Sequence, residues 1–185
     1  MELVDRLREQ FLVRQFQRGN TDAFLVLVRR YERRLLFFLR RFERDPERAL
    51  DAIQEVWLTA WKTRGSLGSP GAFRVWIYRI AHGKVIDGIR SEMRRRHFEQ
   101  ERHGTGATVA TRAGASLEAA ELVHFALSRI SPEHREVLTL RFLEEMTIEE
   151  IAEAIDCPVG TVKSRLHYAS REIQSVIEEQ ENGGK

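Results

Sequence analysis

The sequence predicts an all-α protein made of two small helical domains joined by a flexible linker. Three observations carry this reading. Apolar residues recur at three- and four-residue steps with no alternating β-branched runs. Three of the four prolines stand beside helix starts. Residues 103–116, HGTGATVATRAGAS, lose every large hydrophobe except Val109 and have the composition of a linker. The expected boundaries are 1–96 for the first domain, 97–117 for the linker and 118–185 for the second domain.

The elements follow in order. After RGNTD, which supplies cap residues, Phe24, Leu27, Val28, Tyr31, Leu35, Phe38, Leu39 and Phe42 form one apolar stripe, with the arginines mostly off it. A second helix follows DPE, with Ile53, Val56, Trp57, Ala60 and Trp61 inward, and ends near Gly65. The Gly- and Ser-rich loop of residues 64–71 leads into a long third helix whose buried side is Phe73, Trp76, Ile77, Ile80 and Ala81. Three such helices make a bundle. Past the linker, Ser116 caps a helix through ELVHFALSRI, and Ser131 with Pro132 starts the next. Thr147 and Glu150 form the T-x-x-E capping box of a third. Pro158 opens a last helix with Cys157 as N-cap and Val159, Val162, Leu166, Ala169, Ile173 and Ile177 inward.

The formal net charge of +2 conceals two opposed halves. Residues 1–96 carry 21 Lys/Arg against 12 Asp/Glu, and residues 97–185 carry 9 against 16. A single cysteine excludes an internal disulfide, and no Cys/His cluster has zinc spacing, so a reducing cytoplasmic setting without bound metal is expected. No apolar leader core and no uninterrupted run of 18 apolar residues is present, so neither secretion nor direct membrane insertion is expected. Enzyme signatures fail as well: there is no HExxH or P-loop, GTGATV lacks the third Gly of a dinucleotide fingerprint, and HFE at 97–99 has no PCxxC partner. No catalytic residue and no cofactor is expected.

The strongest functional pattern is a contrast in charge. Six acids crowd positions 144–156, and then none occurs until Glu172. Two short helices joined by a tight turn outline a helix-turn-helix. The residues off the apolar stripe of its second helix are all neutral or basic, which suits a helix lying in a major groove, where backbone phosphates repel carboxylates. Thr161, Lys163, Ser164, Arg165, His167, Tyr168 and Arg171 are the candidate DNA contacts. A solvated helix face is the competing account.

The segment LSRISPEHREVLTLRFLEEMTIEEIAEAIDCPVGTVKSRLHYASREI resembles region 4 of the extracytoplasmic-function (ECF) sigma factors of bacterial RNA polymerase. Upstream, GNTDAFLVLVRRYERRLLFFLRR, DAIQEVWLTAW and FRVWIYRIAHGKVIDGIR resemble, in order, the start of region 2, its polymerase-binding helix and its promoter-melting helix. The resemblance implies a transcription initiation factor that binds core RNA polymerase, recognises the -35 and -10 elements of promoter DNA and aids promoter opening. It implies that Asp51, Gln54, Glu55 and Leu58 bind core polymerase; on physical grounds alone, Asp51 and Glu55 read as a solvated i,i+4 pair. It further implies that Arg64, Ser66, Ser69, Arg74, Trp76, Arg79, His82, Gly83, Lys84, Asp87 and Arg90 handle the -10 element, with the helix-turn-helix on the -35 element. Trp76 and Tyr78 are the aromatic candidates for holding single-stranded bases, although Trp76 has core spacing.

Two further expectations complete the reading. Gly83 stands where the family commonly has Asn, so -10 recognition is expected to shift toward the loop, His82 or Lys84. The roughly 20 linker residues span about 25 Å as a coil and about 70 Å extended, while promoter elements about 17 base pairs apart lie about 58 Å from each other. Both domains therefore engage DNA only on a scaffold such as polymerase. Free, the chain is expected to be a monomer whose domains move independently or are held by a cognate anti-sigma factor. The alternative is a helix-turn-helix regulator that binds an operator without polymerase.

Overall fold

The computed structural model describes residues 2–43, 45–102 and 126–183. Every regular element among them is helical. The first unit is a bundle of four helices: α1 (Glu2–Gln17), α2 (Thr21–Leu39), α3 (Pro46–Thr63) and α4 (Phe73–Arg102). Two 3-10 turns, Arg64–Ser66 and Pro70–Ala72, form the loop before α4. The expected stripes of α2 and α3 face the core, with Phe24, Val28 and Trp61 half-buried against it and Phe42 half-buried just past α2. Asn20 caps α2 by accepting from the Ala23 amide at 2.9 Å, and Asp45 caps α3, with Pro46 in the first turn.

The bundle gains a helix that the periodicity did not isolate. α1 packs along α2 after a turn through Gly19, whose φ of 86° is costly for a residue with a Cβ. Its Val13 and Phe16 are fully buried. Phe16 lies at the centre of an aromatic cluster, with ring centroids 5.4 Å from Phe24, 6.1 Å from Trp61 and Phe73, and 6.3 Å from Trp76. The Phe24 ring stacks on Phe16 while the other three are tilted or edge-on to it, arrangements favoured over eclipsed stacking. Leu3, Val4, Leu7 and Phe11 on the same helix stay exposed. The next difference is the length of α4, which continues through Arg102, past the boundary expected at residue 96.

In the second unit residues 126–129 are helical, followed by α5 (Pro132–Leu138), a π-helical turn (Thr139–Leu143), α6 (Ile148–Ala154) and α7 (Val159–Gly183). The Ser131 cap and the complete Thr147/Glu150 capping box form as predicted. The helix start expected at Ser116 and the linker stretch 103–116 lie outside the described residues. Arg135 ties this unit together by donating to the carbonyls of Leu127, Ser128 and Ile130. A correction concerns the start of α7: the Pro158 carbonyl accepts from the Thr161 and Val162 amides, so Pro158 rather than Cys157 takes the cap position. Val162 and Ala169 are fully buried, whereas Val159 is exposed.

The two units are packed together, which differs from the independent motion expected of the free chain. Buried apolar residues of both form one continuous cluster, and α4 lies against α6. Apolar burial and charge pairing meet across the contact, and the pairing is taken up below.

Candidate nucleic-acid interface

The helix-turn-helix is set by its turn. Beyond α6, Asp156 has φ 49°, in the left-handed region that Asp tolerates better than most residues. The Cys157 amide then bonds back to the Ala152 carbonyl at 3.0 Å, closing the helix end in the Schellman manner. Burial pushes the Cys157 thiol up, opposed by Arg165, which keeps it a turn residue rather than a thiolate. With that turn fixed, Lys163, Ser164, His167, Tyr168 and Arg171 are exposed on α7, and Thr161 and Arg165 are half-buried beside them. Ser164 Oγ donates to the Thr161 carbonyl at 3.0 Å, and the His167 and Tyr168 rings meet edge to face at 5.4 Å. All seven predicted residues thus gather on one turn-supported helix.

The residues expected at the -10 element are less uniform. The loop before α4 is anchored by Gln17, whose side chain donates to the Leu67 carbonyl at 2.7 Å. Arg64 folds back on Trp61, over its ring at 4.7 Å and onto its carbonyl at 2.7 Å. Ser66 bonds the Thr63 carbonyl, and Ser69 is exposed. Gly83, Asp87 and Arg90 are exposed along α4, and nothing lies within 4 Å of a Cβ added at Gly83. Trp76 requires a correction: its ring is buried against Phe16 and Phe73, with Nε1 3.4 Å from Ser66 Oγ, so in this state it is a core residue and offers no stacking face. Tyr78 is buried too, edge-on to Phe38. Core spacing accounts for the burial of Trp76, whereas Tyr78 is buried although it lies off the stripe read from the sequence.

Asp51, Gln54, Glu55 and Leu58 are exposed on α3, off its buried stripe. Leu50 joins Gln54 and Leu58 at four-residue steps, and both leucines remain exposed, Leu58 at 58%. An apolar pair flanked by polar groups on a solvent face is the composition of a contact surface. Glu55 also receives Lys84 of α4, Nζ to Oε2 at 2.8 Å, which joins one predicted polymerase contact to one predicted -10 contact.

Three further side chains of α4, Arg74, Arg79 and His82, meet the second unit. Arg74 Nη2 donates to Glu150 Oε2 at 2.7 Å, and Nη1 donates to the Glu144 carbonyl at 3.3 Å. Arg79 donates to the Glu153 carbonyl at 2.9 and 3.0 Å and to its carboxylate at 3.2 Å. His82 Nδ1 lies 2.7 Å from Glu136 Oε1. Arg34 of α2 has its Nε 3.0 Å from Glu144 Oε2, and in the turn after α2 the Arg41 carbonyl accepts from Arg135. Burial, the largest influence, pushes the Glu144 carboxyl above the ordinary range against the pull of Tyr78, Arg34 and Arg74. For Glu150 burial also pushes up, but the Thr147 amide and Arg74 outweigh it and hold the group below that range. Among the described residues no group of His, Cys, Asp or Glu could hold a metal ion, and no helix is long and apolar enough to cross a membrane.

Comparison with known proteins covers nearly the whole chain. Residues 27–95 match Sigma-70 region 2 and residues 126–175 match Sigma-70, region 4. The RNA polymerase sigma-H factor of Pseudomonas aeruginosa is 31% identical, over 95% of this chain and 97% of that protein. The ECF RNA polymerase sigma-E factor of Escherichia coli K12 is 29% identical over 95% of this chain and 97% of its own length. Among solved structures, CnrH in complex with the cytosolic domain of CnrY has a similar fold, with a TM-score of 0.67 at 22% identity, covering 92% of this chain and 97% of that one. The sigma factor RpoE of Bartonella quintana, in complex with the anti-sigma factor NepR, has a TM-score of 0.64 at 24% identity, covering 84% of this chain and 96% of that one.

Proposed function

Because the chain belongs to the ECF group of the sigma-70 family, initiation factors that direct RNA polymerase to promoters, we propose that its two units divide promoter recognition between them. α7 enters the major groove at the -35 element, with Lys163 and Arg171 on phosphates and the Thr161-to-Tyr168 face toward base edges. The loop of residues 64–71 and the basic side of α4 receive the -10 element, with Arg74, Arg79, Lys84 and Arg90 supplying charge to the opened strand and His82 beside them. The face of α3 formed by Leu50, Asp51, Gln54 and Leu58, with Glu55 at its edge, docks on core polymerase. The protein works in the cytoplasm as a single chain and by recognition without catalysis. An anti-sigma factor, the class bound to the Bartonella neighbour, is a partner class to test.

One observation carries this reading: an acid-free, exposed helix face behind a rigid turn, in a chain that also matches region 2 across residues 27–95. An operator-binding regulator would leave that second match without a role. Run-off transcription with purified core polymerase, with and without the chain, on promoter fragments from its own genome tests the reading, with permanganate probing of the -10 region. Transcripts and an open bubble are expected only when both proteins are present. A footprint by the chain alone, with nothing gained by core, would remove the assignments on α3 and α4. Lys163→Ala and Arg171→Ala should each lower the salt slope of -35 binding by about 1.

A further inference from the structure

We propose that the groove between α2 and the π-helical turn of the second unit is a binding site for a small nucleotide, a ligand with a planar base and more than one phosphate charge. The groove has a volume of about 520 Å³, within the range of small-molecule sites. Its floor is apolar, made by Leu36, Phe37 and Leu143, and its rim carries Arg33, Arg34 and Arg40. None of these residues belongs to the faces assigned to DNA or to polymerase.

Arg33, Phe37 and Arg40 follow one another at i, i+4 and i+7, which places them along one exposed ridge of α2 and its C-terminal cap. Neither Arg33 nor Arg40 makes an ion pair among the described residues, whereas Arg30 and Arg34 of the same helix are paired with Glu9 and Glu144. The two like charges repel, and an anion between them relieves that repulsion. Arg34 is held from within. Its Nε stands 3.0 Å from the buried Glu144 carboxylate, while the arginine side chain is 45% exposed. Fixing a guanidinium at the edge of the groove lowers the entropy lost when it meets an anion. Phe37 is fixed as well, because Arg41 lies over its ring at 4.1 Å from the centroid. The residue is still 41% exposed, so the uncovered part of the ring is available to a stacking base.

This combination selects the ligand class. The planar fork of a guanidinium matches phosphate oxygens. Arg33 and Arg40 stand about 10 Å apart along the helix axis, so one phosphate does not serve both and a ligand with two or three does better. Phe37 between them adds stacking that an inorganic polyphosphate cannot use. A peptide or a nucleic acid strand needs a longer track than a cavity of this volume. Leu143 and Glu144 come from the second unit, so a bound nucleotide bridges both units and adds its binding energy to their contact.

Calorimetric titration of the full chain with ATP, GTP, tripolyphosphate and adenosine in magnesium-free buffer tests the site. ATP or GTP should bind at one site about tenfold tighter than tripolyphosphate or adenosine, and should raise the melting temperature. Arg33→Ala/Arg40→Ala should weaken the nucleotide about tenfold relative to Arg14→Ala/Arg29→Ala, two exposed arginines outside the groove that match the change in charge. Phe37→Ala should bring ATP down to the affinity of tripolyphosphate. Phe37→Leu, which keeps the floor apolar and removes only the stacking, gives the same reading if the alanine variant fails to fold. Tripolyphosphate binding as tightly as ATP would overturn the proposal by showing a bare anion patch. Equal affinities of the groove variant and its charge-matched control would overturn it by placing the nucleotide elsewhere. Absence of binding by all four probes at about 1 mM would overturn it outright. The promoter and polymerase assignments stand or fall separately, since no residue is shared with them.

Discussion

Arg74 of α4 shares a single oxygen of Glu150 with that residue's own helix start. Its Nη2 donates to Glu150 Oε2 at 2.7 Å, and the Thr147 amide donates to the same atom at 2.9 Å. A local capping device thus doubles as a long-range contact. A double-mutant cycle on Arg74→Ala and Glu150→Ala, followed by urea unfolding, should return a coupling of about 0.5–1 kcal/mol. High salt should shrink it. Strict additivity of the two variants would mean that the pair contributes nothing.

Two carboxylates of the contact, Glu144 buried and Glu150 half-buried, should titrate in opposite senses. Glu150 is held below the ordinary value of 4.5 once the Thr147 amide and Arg74 outweigh burial. Its contribution is full above that value and is lost as pH falls through the depressed one. Glu144 is raised above 4.5, chiefly by burial, so its contribution is full below that value and declines as pH rises toward the raised one. Unfolding free energies measured from pH 3 to pH 7 should therefore show the wild-type advantage over Glu150→Gln growing with pH. The difference from Glu144→Gln should fall over the same range. Parallel curves would contradict both assignments.

Gly83 and Gly88 lie inside α4 with nothing within 4 Å of an added Cβ. Replacing either by Ala should raise stability by about 0.5–1 kcal/mol, since only the flexibility of the unfolded chain is removed. Thermal unfolding checks this, and a lower melting temperature would point to a contact that the fold does not show. Gly83→Asn, which restores the residue common in the family, should alter base preference at the -10 element. Promoters melted with unchanged preference would end that idea.

Arg135 donates to the carbonyls of Leu127, Ser128 and Ile130 in its own unit and to that of Arg41 in the other. Arg135→Ala leaves these acceptors without their donor and should cost about 2–4 kcal/mol in urea unfolding. Arg135→Lys should recover little, because a single ammonium cannot reproduce the planar fork. Full rescue by Lys would show that charge alone matters at this position.

What was legible in the sequence was local. The Thr147/Glu150 box, the Ser131 cap and the stripes of α2 and α3 follow from residues a few positions apart, and each formed as read. α1 was missed because Leu3, Val4, Leu7 and Phe11 face solvent while Val13 and Phe16 face the core, which blurs the one-sided pattern that marks an amphipathic helix. Trp76 and Tyr78 were read partly for chemistry, where burial decided. The contacts of Arg74 and Arg79 join residues 70 to 76 positions apart, beyond any periodic signal. The crowd of acids before α7, read from sequence as a foil to the recognition helix, contains Glu144, Glu150 and Glu153, which meet arginines of the first unit.

Residues 103–125 connect α4 to the second unit in one covalent chain. Packing of the two units is therefore unimolecular, with an effective concentration on the order of millimolar for a short tether. Diluting the protein does not separate them, and the contact between α4 and α6 follows each molecule whatever its copy number.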